Sequence, residues 1–202
     1  MFLKSPPALV LASTSGYRRA LLARILNSFQ CQAPRVVESR LEGETGLAMV
    51  RRLALAKARA VAAQYPQAWV IGSDQAAVLM DGAQEHLILG KPGTAQRCIE
   101  QLRSCSGRTV AFFTAVALVR DHDAAAFEFV DTTRVRYRVL DEATIERYVA
   151  RESPIDCAGG FKSEGLGISL CESIDSADPS ALIGLPLIRL CALLRGVGFE
   201  LP

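Results

Sequence analysis

Two adjacent arginines, Arg18 and Arg19, follow a turn of small hydroxyl residues in LASTSGYRRALL, residues 11–22. A helix start disfavours cations, because its dipole favours anions there. The pair makes sense if an anion joins it. Backbone N–H groups at such a turn can hold phosphate, and arginine meets phosphate oxygens through two parallel bonds. Ser13 adds a hydroxyl. The same residues also fit a plain solvated helix face. A second group, Gly72-Ser73-Asp74-Gln75, follows the apolar run from Trp69 to Ile71. That order places Asp74 at the C-terminal end of a strand, where α/β proteins bind ligands. Asp74 could ligate a divalent metal or take a proton from water; it could also be a turn-forming aspartate. Glu38, after RVV, could complete an acidic pair or lie on the surface.

Lys91 stands between Gly90 and Pro92 on a stiff turn that suits a point charge aimed at phosphate. Lys57 comes from a long helix. Either could equally be an ordinary exposed lysine. In CAGGFKSEGLG, residues 157–167, four glycines let a ligand approach the backbone closely, and Lys162 and Glu164 lie between them. A flexible connection is the plain alternative, and the dinucleotide glycine pattern does not fit. Neither His86 nor His122 sits in a catalytic pattern, so no nucleophilic triad emerges. The combined inventory is two or three phosphate-facing cations, one or two carboxylates and a glycine-rich loop. It suits metal-assisted attack of water on a phosphate anhydride.

These groups need a scaffold. Apolar patterning predicts a strand at 8–12, a helix at 16–27 and a short strand at 29–33. A long amphipathic helix follows at 46–64, capped by Thr45. A strand at 68–74 runs into a loop, then a hairpin turns at Asp81-Gly82 with its strand near 85–89. Thr94 caps a helix through about Ser104. The long strand RTVAFFTAVALVR pairs with AAFEFVDTTRVRYRVL. There Val135, Tyr137 and Val139 alternate with Arg134, Arg136 and Arg138, giving one wet face. A charged helix at 141–151, a strand at 165–175, a turn at Asp178-Pro179 and a closing helix at 185–198, with Gly196 near its C-cap, complete the chain. Strands alternating with helices, plus long neighbouring strands, predict an α/β fold with a mixed sheet.

With 202 residues, half of them hydrophobic, the chain makes one domain or two small lobes sharing a core. A net charge of +2 speaks against nucleic-acid binding. Six cysteines without C-x-x-C spacing speak against a zinc site. The opening MFLKSPPALVLAS does not read as a secretory leader, and no apolar run reaches the ~18 residues that span a bilayer. The expectation is a cytoplasmic protein with reduced thiols and no membrane partner.

Six segments in order resemble the motifs of the Maf family: LASTSGYRRALL, VIGSDQ, LGKP, LRSCSGRTVAFFTAVAL, CAGGFKSEGLG and ALIGLPLIRLCALL. They run from about residue 9 to 194, and the chain looks most like the subfamily acting on 7-methyl-GTP. The resemblance implies an elongated mixed β-sheet flanked by helices, similar to inosine triphosphate pyrophosphatases. It implies one domain over residues 1–202, with a cleft between two lobes, and a homodimer. The implied activity splits nucleoside triphosphates into monophosphate and pyrophosphate, with magnesium or manganese.

By the same resemblance, Ser13, Arg18 and Arg19 hold the triphosphate. Glu38 lies near the metal. Lys57 and Lys91 are catalytic, and Asp74 is the proton acceptor or metal ligand. Tyr17, Gln75 and Glu164 select the base. This selection has a physical rationale. Methylation at N7 makes guanine cationic, and an aromatic face attracts a cation by about 0.5–2 kcal/mol. A carboxylate can accept two hydrogen bonds from the guanine edge. The chain departs from the family pattern at Gly16, usually proline, at Val37, often aspartate, and at Tyr17, usually a larger aromatic. The alternatives are a pyrophosphatase selective for dTTP and UTP, which FKSEG disfavours, and a non-catalytic nucleotide-binding regulator of septum formation, which has no need of Asp74.

Overall fold

The computed structural model describes residues 8–202; residues 1–7, on which part of the leader reading falls, lie outside the described residues. The elements in chain order are β1 (Leu9–Leu11), α1 (Gly16–Leu22), β2 (Gln30–Cys31), α2 (Gly46–Ala62), β3 (Trp69–Asp81) and β4 (Gln84–Leu89). They continue with α3 (Ala95–Cys105), β5 (Thr109–Arg120), β6 (Ala125–Tyr137), α4 (Glu142–Glu152), β7 (Cys171–Asp175) and α5 (Leu187–Gly196). The seven strands form one sheet in the order β2-β1-β3-β5-β6-β7, with β4 also on β3. β1 runs parallel to β2 and β3, and the other pairings are antiparallel. The expected mixed sheet flanked by helices is present.

β3 organises the sheet. Along one edge it pairs continuously with β5, from Val70↔Val119 to Leu79↔Val110. Along the other edge it pairs with β1 as far as Ile71 and with β4 from Ala77 onward. Residues 72–76 therefore have no strand neighbour on that side. This corrects the expected strand end at 74: Asp74 is mid-strand, opposite Ala115. The long apolar run of β5, interrupted by Thr114 opposite Gln75, offers pairing along the whole length, and that outweighs the local polar interruption.

Other boundaries shift for local reasons. α1 stops at Leu22, and Ile25 and Leu26 bond back to Leu22 in a turn. The expected strand at 165–175 starts only at Cys171; Leu166–Leu170 winds as a 3-10 helix instead. There Gly167 turns back so tightly that a Cβ would lie 2.5 Å from the Lys162 carbonyl oxygen. β6 ends at Tyr137, so Val139 leaves the alternation and is 85% exposed. At the C-terminus, Gly196 is still helical, and Gly198, with φ +95°, takes the left-handed position.

α2 presents Val50, Ala54, Ala58 and Val61 to one sheet face, against Val70, Val78 and Ala115. Its alanines let it lie close. At Gly72 a Cβ would be 2.2 Å from the Ala54 carbonyl oxygen and 2.6 Å from the Ala58 nitrogen. On the opposite face, α1 and α5 pack Leu21, Leu22, Leu190 and Leu194 against Leu11, Ile71 and Leu118. A third apolar cluster joins α3 and α4 to Phe112 and Tyr137.

Candidate active site

A cavity of about 630 Å³ opens where β3 lacks its strand neighbour. Nine of the ten candidate residues line it: Ser13, Tyr17, Arg18, Glu38, Lys57, Asp74, Gln75, Lys91 and Glu164. Arg19 does not. It is exposed in the last turn of α1, where the helix dipole accepts a cation.

The turn before α1 uses its hydroxyls to cap itself. Ser15 accepts from the Arg18 N–H, and Ser13 Oγ accepts from the Ser15 N–H at 3.1 Å. Arg18 Nε donates to the Gly184 carbonyl at 2.9 Å, and Ser73 Oγ donates to the same oxygen at 3.1 Å. Gly184 holds φ +122°, a backbone angle that L side chains rarely adopt; a Cβ there would only touch Arg18, at 3.5 Å from Nε, so it is the backbone angle that calls for glycine. Upstream, buried Asp178 accepts from Ser180 N (2.9 Å), Ser180 Oγ (2.5 Å) and Ile188 N (2.7 Å), which fixes the segment carrying Gly184. Sequence reasoning missed the roles of Ser73, Asp178 and Gly184. The available signals were the polar group containing Ser73, the Asp178-Pro179 turn and the glycine inside ALIGLPLIRLCALL.

At the cavity floor, Lys57 Nζ donates to Glu38 Oε2 at 2.7 Å and to Asp74 Oδ1 at 2.6 Å. Lys57 and Asp74 are 5% and 7% exposed, whereas the Glu38 side chain faces solvent. Burial raises the Asp74 carboxyl above the usual aspartate range. The Lys57 ammonium and then Arg18 oppose that rise, and Glu38 adds to it. Burial lowers the Arg18 guanidinium, while Asp74 and Glu38 support its charge.

Glu38 rides on a long stretch without regular structure between β2 and α2. Arg52 of α2 ties it down: it donates to Glu44 Oε1 and Oε2 at 2.6 and 2.7 Å and to the Ser39 carbonyl at 3.1 Å. Val37 is 81% exposed, and a Cβ at Gly16 would meet nothing within 4 Å, so neither departure from the family pattern disturbs packing.

The opposite wall is the glycine-rich loop with Glu164. Tyr148 Oη accepts from the Lys162 N–H and donates to the Gly160 carbonyl, both at 3.1 Å. The Gly159 N–H reaches the Gly90 carbonyl at 3.1 Å, which ties this loop to the turn carrying Lys91. Gln75 spends its amide nitrogen on Thr114 Oγ1 and the Ala181 and Leu182 carbonyls. Only its oxygen is left for a ligand.

Glu38 and Asp74 supply the hard oxygens a divalent cation takes. The described residues hold no group of three or more metal-ligating side chains. Two carboxylates completed by phosphate oxygens is a usual arrangement for magnesium, so this donor set fits. All six cysteines are free thiols. Burial pushes Cys98 and Cys171 up to about 11 and Cys105 to about 12. No described helix is long and apolar enough to cross a membrane.

The family model "Maf-like protein" matches residues 8–197. A 7-methyl-GTP pyrophosphatase of Xanthomonas campestris pv. campestris (strain 8004) is 53% identical over 97% of this chain and 99% of its own. Another protein of that name, from Pseudomonas aeruginosa PAO1, is 48% identical over 97% of this chain and all of its own. The solved structure of the Staphylococcus aureus Ham1 protein superposes with a TM-score of 0.45 at 17% identity, over 64% of this chain and 71% of that one.

Proposed function

Since this chain belongs to the Maf-like protein family, we propose that it is a nucleoside triphosphate pyrophosphatase that hydrolyses 7-methyl-GTP to 7-methyl-GMP and pyrophosphate. The observation that carries the reading is the Lys57 ammonium shared by Glu38 and buried Asp74, in one cavity with Arg18 and Lys91. A site for a neutral ligand has no use for three cations lining one cavity, two of them acting on a buried carboxylate.

In this reading water attacks the α-phosphorus, the bond from that phosphorus to the bridging oxygen breaks, and pyrophosphate leaves. Asp74 takes the proton from the attacking water; its raised pKa brings it closer to the working pH of a general base. Lys57 holds Asp74 in place and screens it from Glu38. Arg18, oriented by the Gly184 carbonyl, and Lys91, on its stiff turn, hold the phosphate oxygens and meet the charge that grows on the leaving group. Ser13 adds a hydroxyl, and Arg19 contributes long-range attraction from the surface. Tyr17 stacks on the cationic base, Glu164 accepts from its N1–H and amino edge, and the free oxygen of Gln75 completes the polar lining.

A divalent ion, magnesium or manganese, held by Glu38 and Asp74, would supply charge neutralisation at the phosphates when bound. The reading extends to one domain with two lobes, a homodimer and a cytoplasmic setting. Sedimentation of the purified protein tests the dimer, and chelator treatment tests the metal. The decisive assay is pyrophosphate release from 7-methyl-GTP, GTP, UTP and dTTP, with Asp74→Asn as control. Turnover favouring 7-methyl-GTP and lost in the variant is the expected result. Preference for UTP and dTTP would sink the base assignment, and binding without turnover would sink the enzymatic one.

A further inference from the structure

Glu164 has a basic neighbour that should have silenced it. Lys162 lies two residues away, on a flexible four-carbon stem, and its ammonium stands 6.0 Å from the centre of the Tyr17 ring. Tyr17 and Glu164 line the same cavity. Lys162 and Glu164 both act electrostatically on the Tyr17 hydroxyl and on the Cys157 thiol, so the two charges share one neighbourhood. Yet Lys162 pairs elsewhere. Its Nζ meets Glu152 Oε1 at 2.9 Å, at the end of α4. Among the described residues Glu164 makes no ion pair; its one hydrogen bond is from Ser163 Oγ at 3.4 Å.

Glu152 is built into this position. Its Oε2 accepts the Leu166 N–H at 2.6 Å, so one carboxylate spans the base of the loop. A Cβ at Gly165 would lie 2.4 Å from that oxygen, so glycine there is what lets the carboxylate in. The Glu152 side chain is 12% exposed, better shielded than a surface pair. The backbone bond and then Lys162 hold it below the usual glutamate range.

We propose that Glu152 is a specificity-positioning residue: it engages the Lys162 ammonium in an ion pair at the base of the loop and so leaves Glu164 unpaired for the edge of a cationic purine base. The proposal rests on the reading of Glu164 as the edge acceptor. Without Glu152, the Lys162 ammonium would be released to the cavity carboxylates Asp156 and Glu164. Pairing with Glu164 would neutralise it and place a positive charge beside a positive base.

The test compares Glu152→Gln, Lys162→Met, the double variant and Glu164→Gln on 7-methyl-GTP and UTP, with thermal midpoints recorded for each. Glutamine at 152 keeps an oxygen for the Leu166 N–H but no charge for Lys162. Glu152→Gln is expected to lower kcat/KM for 7-methyl-GTP about tenfold, the order expected for one compromised charged hydrogen bond, mainly through KM. UTP turnover should be little changed. Lys162→Met alone should keep the preference, and adding it to Glu152→Gln should restore 7-methyl-GTP turnover. A merely structural role for Glu152 would not be rescued by removing a second residue, so loss without rescue overturns the proposal. So does an unaffected Glu152→Gln beside an impaired Glu164→Gln. A harmless Glu164→Gln overturns the edge reading itself and this proposal with it.

Discussion

Gly72→Ala tests whether the helix carrying Lys57 lies as close to β3 as the structure places it. The new Cβ would stand 2.2 Å from the Ala54 carbonyl oxygen and 2.6 Å from the Ala58 nitrogen, both backbone. Comfortable C···O contact begins near about 3.3 Å, so α2 must move away by about 1 Å. No side chain can rotate to relieve the clash. Overpacking costs about 1–3 kcal/mol in ordinary cores, and with backbone on the opposing side the upper end, about 3 kcal/mol, applies. At a urea slope of about 2 kcal/mol/M, the midpoint falls by about 1.5 M. The same shift pulls Lys57 from Asp74, now 2.6 Å away. Misplacement by about 1 Å costs on the order of 100-fold in rate. Urea unfolding and pyrophosphate release from one preparation measure both effects. A loss under about 1 kcal/mol with unchanged turnover would refute the close packing and its link to the floor of the cavity.

The pH profile gives a pair of opposite shifts. Asp74 must be ionised to accept a proton, so activity rises with pH through its raised pKa. Lys57→Met removes an influence that lowers that pKa and moves the acid limb of kcat/KM to higher pH. Glu38→Gln removes one that raises it and moves the limb to lower pH; a common direction in both variants would discard Asp74 as the base. Arg52→Ala should speed hydrogen exchange in residues 36–44 while leaving exchange in β3 and β5 slow, since Arg52 bonds both Glu44 and the Ser39 carbonyl. Glu44 is held down at about 2 by Arg52. This clasp is therefore at full strength above pH 4.5, fades as pH falls toward 2, and loop exchange should quicken in that window. Asp178→Ala strips three hydrogen bonds from a buried cluster and should cost about 2–3 kcal/mol, with lower turnover because Gly184 orients Arg18; stability loss without any change in KM or kcat would separate the two.

The site was legible where polar residues break apolar runs or glycines gather. Ser13, Arg18, Asp74, Lys91 and Glu164 all stand out that way, and all line the cavity. Depth was less legible. Asp74 reads as a strand end because its neighbours turn polar, yet β5 carries pairing past it; only the partner strand could reveal that. Arg19 is indistinguishable from Arg18 in sequence, but about 100° of helical rotation separates them, and Arg18 alone turns toward Gly184. Ser73 and Gly184 act on each other across 111 positions, a contact that no local pattern announces.

The change of partners along β3 also has a mechanical meaning. The strand beneath the cavity is continuous, and its ten paired positions with β5 run under the whole opening like a keel. Hinging the floor would mean breaking that ladder. Compliance is left to the walls: the stretch bearing Glu38, pinned mainly by one guanidinium, and the glycine-rich loop, pinned by Tyr148 and Glu152. A guest of a different size is thus accommodated by bending the sides of the vessel, while the groups beside the reacting phosphorus keep their spacing.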